Sequence, residues 1–357
     1  MTLRYAWVLS GRHPPPEPGS VPGPRAEFET FVQDFGAELL SLSTLDGPLP
    51  MISRILRRAG MSRLSLAYFI QSRAGQFDAI IASGEDIGIP IALASLFGAS
   101  RTPIHMMFHG HHLESRKLRG LVPILRRMKQ VHFHCLSEAL RERTKKILGV
   151  PDERCHATGH GVDTSYFSDV VTSNATVISS AGTANRDYAT LAAAVEDLPI
   201  LLKIAADSAW VLPDTGLVAR QWPANVEVRS YGSYARLREL YHQSRFVVVP
   251  LHPAIHACGY AVIAEAMAMG RAVIATRTDS PPDFLRHNIT GLLVEAYDVD
   301  GLRSHIRDLL DHPEKAAELG GQARDLIVRY NSLERFCERL ENIIHNSLLT
   351  APKGRNI

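Results

Sequence analysis

A chain of 357 residues, 45% hydrophobic and 21% charged, has the composition of an ordinary globular protein and is long enough for two domains rather than one core. Its longest apolar runs are too short to span a bilayer, no secretory signal is read at its start, and Cys135, Cys155, Cys258 and Cys337 form no CxxC pair or framework spacing, which disfavours zinc and disulfide scaffolds and favours a reducing cytoplasm. The net charge of +2 conceals 16 Lys and Arg against 6 Asp and Glu between Arg54 and Lys146, so the remainder of the chain is net acidic.

In chain order, strands are predicted at 4–10, 38–43, 78–83, 103–109, 132–137 and 155–159. The proline-rich segment 13–24 follows the first of them, where a doubly wound sheet places loops that face a ligand. The stretches RILRRAGMSRL and SRKLRGLVPILRRMKQ mix leucine and isoleucine with arginine at helical spacing. They fit either solvated amphipathic helices or peripheral contact with an anionic membrane, while scarce aromatic residues disfavour nucleic acid. His105, His109, His111 and His112 fall close together, with His132 and His134 nearby, but no cysteine or carboxylate at ligand spacing accompanies them, so no metal site is expected. Asp163 reads as a turn or cap residue.

A polar stretch at 171–175 reads as the domain boundary. Beyond it, strands are predicted at 176–182, 200–206, 225–231, 246–251, 272–276 and 291–296. Helical patterns separate most strands of both sets, and nearly continuous apolar strands in that order predict two doubly wound α/β domains with parallel sheets. Such sheets hold ligands outside the carboxyl ends of their strands, with phosphates at helix N-termini. The first strand lacks the GxGxxG fingerprint, which disfavours a dinucleotide-dependent dehydrogenase. Two later units supply an alternative. In VISSAGTANRDYATL a strand leads through Gly182 and Arg186 into a helix; in PLHPAIHACGYAVIAEAMAMG a strand leads through Gly259 into a helix starting about Tyr260 and carrying Glu265. Two such turns from one domain can converge on one diphosphate.

At these residues the sequence resembles the retaining glycosyltransferases of family 4, which have the GT-B fold of two Rossmann-like domains facing across a cleft, with a C-terminal helix crossing back to the first domain. CLSEALRERTKKILGVPDERCHATGHGVDTSYF, AGTANRDYATL, FVVVPL, AEAMAMGRAVIAT, TGLLVEAYDVDGL and the terminal LGGQARDLIVRYNSLERFCERLENII match successive family elements from about Cys135 to Leu348. The resemblance implies an acceptor-binding domain over 1–172, a nucleotide-sugar-binding domain over 173–335 and a returning helix and tail over 336–357. It implies further that Glu265 approaches the ribose and that Arg186 neutralises the departing diphosphate. The turn Gly259, Tyr260, Ala261 and Val262 holds diphosphate and sugar, Gly182 and Lys203 stand on the donor side, and His109 faces the donor sugar. Gly11, Arg12 and Glu85 are weaker candidates on the acceptor side.

The implied activity is transfer of a sugar from a nucleotide-sugar co-substrate to an acceptor hydroxyl by same-face attack, without metal or other cofactor, the acceptor being a glycan, lipid or small molecule. One departure stands out. The family's first glutamate, eight positions before Glu265, is Ala257 here. That keeps open a nucleotide-sugar-binding protein with weak or lost turnover, and a GT-B epimerase using Glu85 and Asp86 is a further alternative.

Overall fold

The computed structural model describes residues 3–13, 23–98, 100–168, 175–206 and 215–350. Most of the proline-rich segment 13–24 and of the expected boundary 171–175 therefore lies outside the described residues. The chain forms two compact units. Unit 1 takes the described residues within Met1–Ser20, Glu27–Gly159 and Phe336–Ile357, and unit 2 those within Val21–Ala26 and His160–Arg335.

Unit 1 runs β1 (Tyr5–Val8), α1 (Glu27–Phe35), β2 (Glu38–Leu40), α2 (Met51–Arg58), α3 (Ser62–Arg73), β3 (Ala79–Ala82), α4 (Glu85–Ala94), β4 (Ile104–Phe108), α5 (Arg116–Arg127), β5 (Val131–Cys135), α6 (Glu138–Leu148) and β6 (Cys155–Ala157). Its six strands form one parallel sheet in the order β2-β1-β3-β4-β5-β6. The runs YAWV, AIIA, IHMMF and VHFHC are buried at every position, because helices cover both faces of a parallel sheet. Ser115 and Ser137 start α5 and α6 by accepting the backbone N–H of Leu118 and Leu140.

Unit 2 runs β7 (Val177–Ala181), α7 (Tyr188–Val195), β8 (Leu201–Ala205), α8 (Thr215–Ala219), β9 (Val226–Arg229), α9 (Tyr234–His242), β10 (Ser244–Val249), α10 (Tyr260–Ala268), β11 (Ala272–Thr276), β12 (Leu292–Val294), α11 (Val299–Asp311) and α12 (Pro313–Tyr330). Its parallel sheet has the order β12-β11-β10-β7-β8-β9. One face buries Val247, Val249, Ile263 and Met267, and the other Leu202, Ile204, Val248 and Ile306. Each of the twelve strands predicted from sequence is present within a few residues of its expected span. Asp163 does cap a turn, accepting from the backbone of Ser165 and Tyr166, and it also holds Arg25.

The last helix, α13 (Leu333–Thr350), joins unit 1 from Phe336 onward. There Glu341 accepts from the Tyr5 hydroxyl at 3.0 Å and Arg339 donates to the Thr158 carbonyl at 2.7 Å. Beneath it lies a layer of imidazoles. His105 on β4 is in register with His132 on β5, and His134 on β5 with His156 on β6. His105 Nδ1 lies 2.9 Å from His134 Nε2, His134 Nδ1 2.7 Å from the Thr158 hydroxyl, and His105 Nε2 3.3 Å from the Ser347 hydroxyl. The histidines that cluster in sequence thus divide: His105, His132 and His134 join His156 inside the sheet packing, and His109 and His111 stand beyond the end of β4. Among the described residues no group of three or more His, Cys, Asp or Glu is disposed to hold a metal ion.

Candidate functional site

The two strand-to-helix turns singled out in unit 2 are pinned to each other. β7 is followed directly by Gly182, whose φ of 92° lies in the left-handed region, where the Cβ of any other residue would also fall 2.7 Å from Arg186 Nη2. The loop then turns through Asn185 at φ 57° and enters α7, with Asp187 as N-cap accepting from the Thr190 backbone and hydroxyl. Across from it, the segment after β10 runs past Leu251 and His252. Asn185 Nδ2 donates to the His252 carbonyl at 2.9 Å, His252 N donates to the Asn185 carbonyl at 3.2 Å, and Arg186 forms a β-bridge with Leu251. The two turns are therefore one piece of structure.

Arg186 is half-buried and oriented within that piece. Its Nε donates to the Ala181 carbonyl at 2.9 Å and its Nη1 to the Ala184 carbonyl at 2.7 Å, which fixes the guanidinium against the loop. The second turn ends at Gly259, φ 77°, which begins α10 without a side-chain cap. An N-terminus of this kind carries partial positive charge and backbone donors suited to an anion. Tyr260 contributes backbone only: its ring is buried against Phe284 and its hydroxyl donates to the Ser280 carbonyl at 2.8 Å. Ala261 is the exposed residue of the first turn, and Val262 is buried.

Glu265 lies one turn further along α10 and is 8% exposed. Its Oε2 accepts from the fully buried Tyr241 hydroxyl at 3.0 Å. Burial pushes its carboxyl up to about 8, in spite of the Tyr241 bond and the Arg186 charge, which both pull it down. At neutral pH this side chain is mostly a neutral acid that both donates and accepts. Gly182, Arg186, Gly259 and Glu265 are thus gathered on one side of unit 2. Lys203 stands within β8, in register with Ser179 and Glu227, two residues short of the strand's end.

In unit 1, Glu85 begins α4 almost fully buried. Its two oxygens accept from the backbone N–H of His109 at 3.0 Å and of His111 at 2.9 Å, and His109 Nδ1 stands 3.4 Å away. Burial alone would raise the Glu85 carboxyl, but the imidazole and backbone N–H of His109, with the backbone of Glu85 itself, hold it at about 2. Burial opposes protonation of His109, and Glu85 outweighs it, so the imidazole is raised. Both oxygens of Glu85 are therefore engaged in fixing the loop after β4, and Asp86 pairs with Arg63 at 3.3 Å. Arg12 is exposed and bound to Asp46 at 2.9 Å, while the Gly11 carbonyl accepts from Leu42 N.

Sequence reasoning missed three contributors. Asp187 was open to discovery, since an Asp three residues before Thr190 ahead of an apolar run is a helix-start signal. Tyr241 and Asn185 carry no local signal, because their partners lie 24 and 67 residues away.

Residues 177–312 match the family model described as glycosyl transferases group 1. A segment of 94 residues, 26% of the chain, is 30% identical to N-acetyl-alpha-D-glucosaminyl L-malate synthase of Bacillus anthracis, and the match spans a quarter (25%) of that relative's length. Among solved structures, a glycosyltransferase of Rickettsia africae ESF-5 aligns with a TM-score of 0.71 at 16% identity, covering 97% of this chain and 99% of that one. HepE of Anabaena, solved in complex with UDP-glucose, aligns at 0.69 and 13% identity over 96% and 100%. Sucrose-phosphate synthase of Thermosynechococcus elongatus aligns at 0.66 and 16% identity over 98% and 89%. With two six-stranded parallel sheets and interleaved helices, the fold is the two-domain α/β architecture of the GT-B glycosyltransferases.

Proposed function

We propose that the protein is a retaining glycosyltransferase of family 4, transferring a sugar from a nucleotide-diphosphate sugar to an acceptor hydroxyl. The observation that carries this reading is the joined pair of turns in unit 2, with the oriented guanidinium of Arg186, the uncapped start of α10 and the buried acid of Glu265 on one side. On this reading the diphosphate lies against Arg186 and the backbone of Gly259, Tyr260, Ala261 and Val262. Positive potential there stabilises the charge that develops as the diphosphate leaves, which is electrostatic catalysis and requires no metal. The acceptor hydroxyl attacks from the face the diphosphate vacates, and the leaving oxygen helps take its proton. Glu265, neutral and able both to donate and to accept, takes the ribose hydroxyls, while Tyr241 fixes its orientation. His109, fixed by Glu85, is proposed as a residue of the reaction. The UDP-glucose bound by the Anabaena relative supports a uridine donor as the first to test.

The test is direct. Binding of nucleoside diphosphates, then of their sugars, is screened by thermal shift, since a selective ligand raises apparent stability. Turnover with the ligand so found should fall about a hundredfold or more in Arg186→Ala, the scale of losing one preorganised charge-stabilising donor. Unchanged turnover overturns the assignment. An inverted anomeric centre in the product overturns retention.

A second reading, nucleotide-sugar binding with weak turnover, is favoured by Ala257. Its mark is tight donor binding with transfer and hydrolysis both at background.

A further inference from the structure

Thirteen large apolar side chains are exposed among the described residues, and Met51, Ile52, Ile55, Met61 and Leu64, five of them, come from α2 and the start of α3. Exposed apolar side chains are ordinarily scattered singly over a surface. Here they are concentrated, with Met51 68%, Ile55 58% and Ile52 41% exposed. Ser53 is the only buried residue of α2, so the helix lies on the surface of unit 1 rather than in its core. The helix is nevertheless held. Arg57 donates to the Leu45 carbonyl and pairs with Asp46 at 2.6 Å, and the Ser65 hydroxyl donates to the Ser53 carbonyl at 2.7 Å.

Charge accompanies the apolar residues. Arg54, Arg58 and Arg63 are exposed among them, and no Asp or Glu occurs from Gly47 to Phe77. An open cavity of about 730 Å³, lined by Gly47, Pro48, Leu49, Arg54, Arg57 and Arg58, adjoins the exposed helix. A surface helix interleaving arginine with large apolar residues has the pattern of an interfacial helix, whose apolar side chains enter the headgroup boundary while its cations meet lipid phosphates.

The geometry points to this patch as a docking surface for an anionic lipid bilayer, with Met51, Ile52 and Ile55 inserted and the arginine-lined cavity taking lipid headgroup phosphate. A second copy of the chain is disfavoured, because an isologous contact brings this basic patch against the same basic patch of the other copy. Free phosphate leaves the apolar residues without a role. Among the described residues no helix is long and apolar enough to cross a membrane, so the contact proposed is peripheral. It stands independently of the reaction in unit 2.

The test is co-sedimentation of the full chain with phosphatidylcholine vesicles containing phosphatidylglycerol, at low salt and at high salt. The protein should bind these and leave pure phosphatidylcholine vesicles in solution. Arg54→Glu/Arg58→Glu should weaken binding at low salt by about 25-fold or more, from about fivefold per cation near the surface. Ile52→Ser/Ile55→Ser should abolish the part of binding that survives high salt. Both variants should keep the wild-type thermal unfolding midpoint, because neither touches a buried residue. Wild-type protein that ignores anionic vesicles overturns the proposal. So does equal loss of binding in Arg116→Glu/Lys117→Glu, which would place the contact on α5. A concentration-dependent dimer abolished by the isoleucine variant, or stabilisation by inorganic phosphate without vesicle binding, also overturns it.

Discussion

Acidification should unfold unit 1 through its buried histidines. Burial first, and then neighbouring positive groups, keep His105, His132, His134 and His156 from taking a proton. His132 and His156 are each held at about 4 against an ordinary 6.5. The unfolded chain takes the same protons near 6.5, so it binds more of them between about 4 and 6.5. The stability due to these rings is therefore complete above 6.5 and is lost as pH falls toward 4. For one ring with these two values the loss is about 2 kcal/mol at a pH near 5 and about 3 kcal/mol when protonation is complete. Two rings remove roughly 4 kcal/mol near pH 5, a large part of the 5–15 kcal/mol, or so, that holds a typical domain. Urea unfolding followed by circular dichroism, at pH near 7.5 and near 5, measures the change. Hydrogen exchange of peptides covering β4 and β5 assigns it to unit 1. The variant His132→Gln/His156→Gln should flatten the pH dependence by about the same roughly 4 kcal/mol. Parallel stability curves for wild type and variant would refute the reasoning, because the titrating groups would then lie elsewhere.

Glu265→Gln should behave with the opposite sign. The folded carboxyl titrates at about 8 rather than 4.5, so wild-type stability declines as pH rises through that window, and the glutamine variant should gain on it by about 3 kcal/mol between pH near 5 and near 8 in urea titrations. Glu85→Gln places an amide N–H against the backbone N–H of His109 or His111, costing about 1–3 kcal/mol. It should also lower the His109 imidazole in an NMR titration, since the main group that opposes the effect of burial is then gone. A diphosphate beside Arg186 weakens the charge that pulls Glu265 down, so nucleotide binding at a pH near 8 should take up protons, seen as a buffer-dependent enthalpy in calorimetry. Buffer-independent enthalpy would mean that the ligand does not reach Glu265.

The sheets were legible in the sequence because a strand covered on both faces has no polar alternation to confuse it: AIIA, FVVVPL and AVIAT announce themselves by composition alone. The loop ends were legible for a related reason. Gly182 turns with positive φ directly after β7 and Gly259 does so at the start of α10, and each demand is local. What was not legible is everything that depends on two distant segments meeting. A buried acid on α10 is visible in PLHPAIHACGYAVIAEAMAMG, but the hydroxyl that satisfies it comes from α9, and no spacing rule connects them. Glu85 shows the same dependence on distant segments. Sequence sets it beside Asp86 at a strand end; the fold adds the backbone donors of another loop and the His109 imidazole, which no spacing announces. Histidine divides in the same way: proximity along the chain groups His105 with His109, whereas the strand carries His105 into the layer under α13 and leaves His109 just past the strand's end, against Glu85. Local sequence fixes where a polar side chain starts, and the register between strands decides whether it becomes a buried structural group or a reactive one.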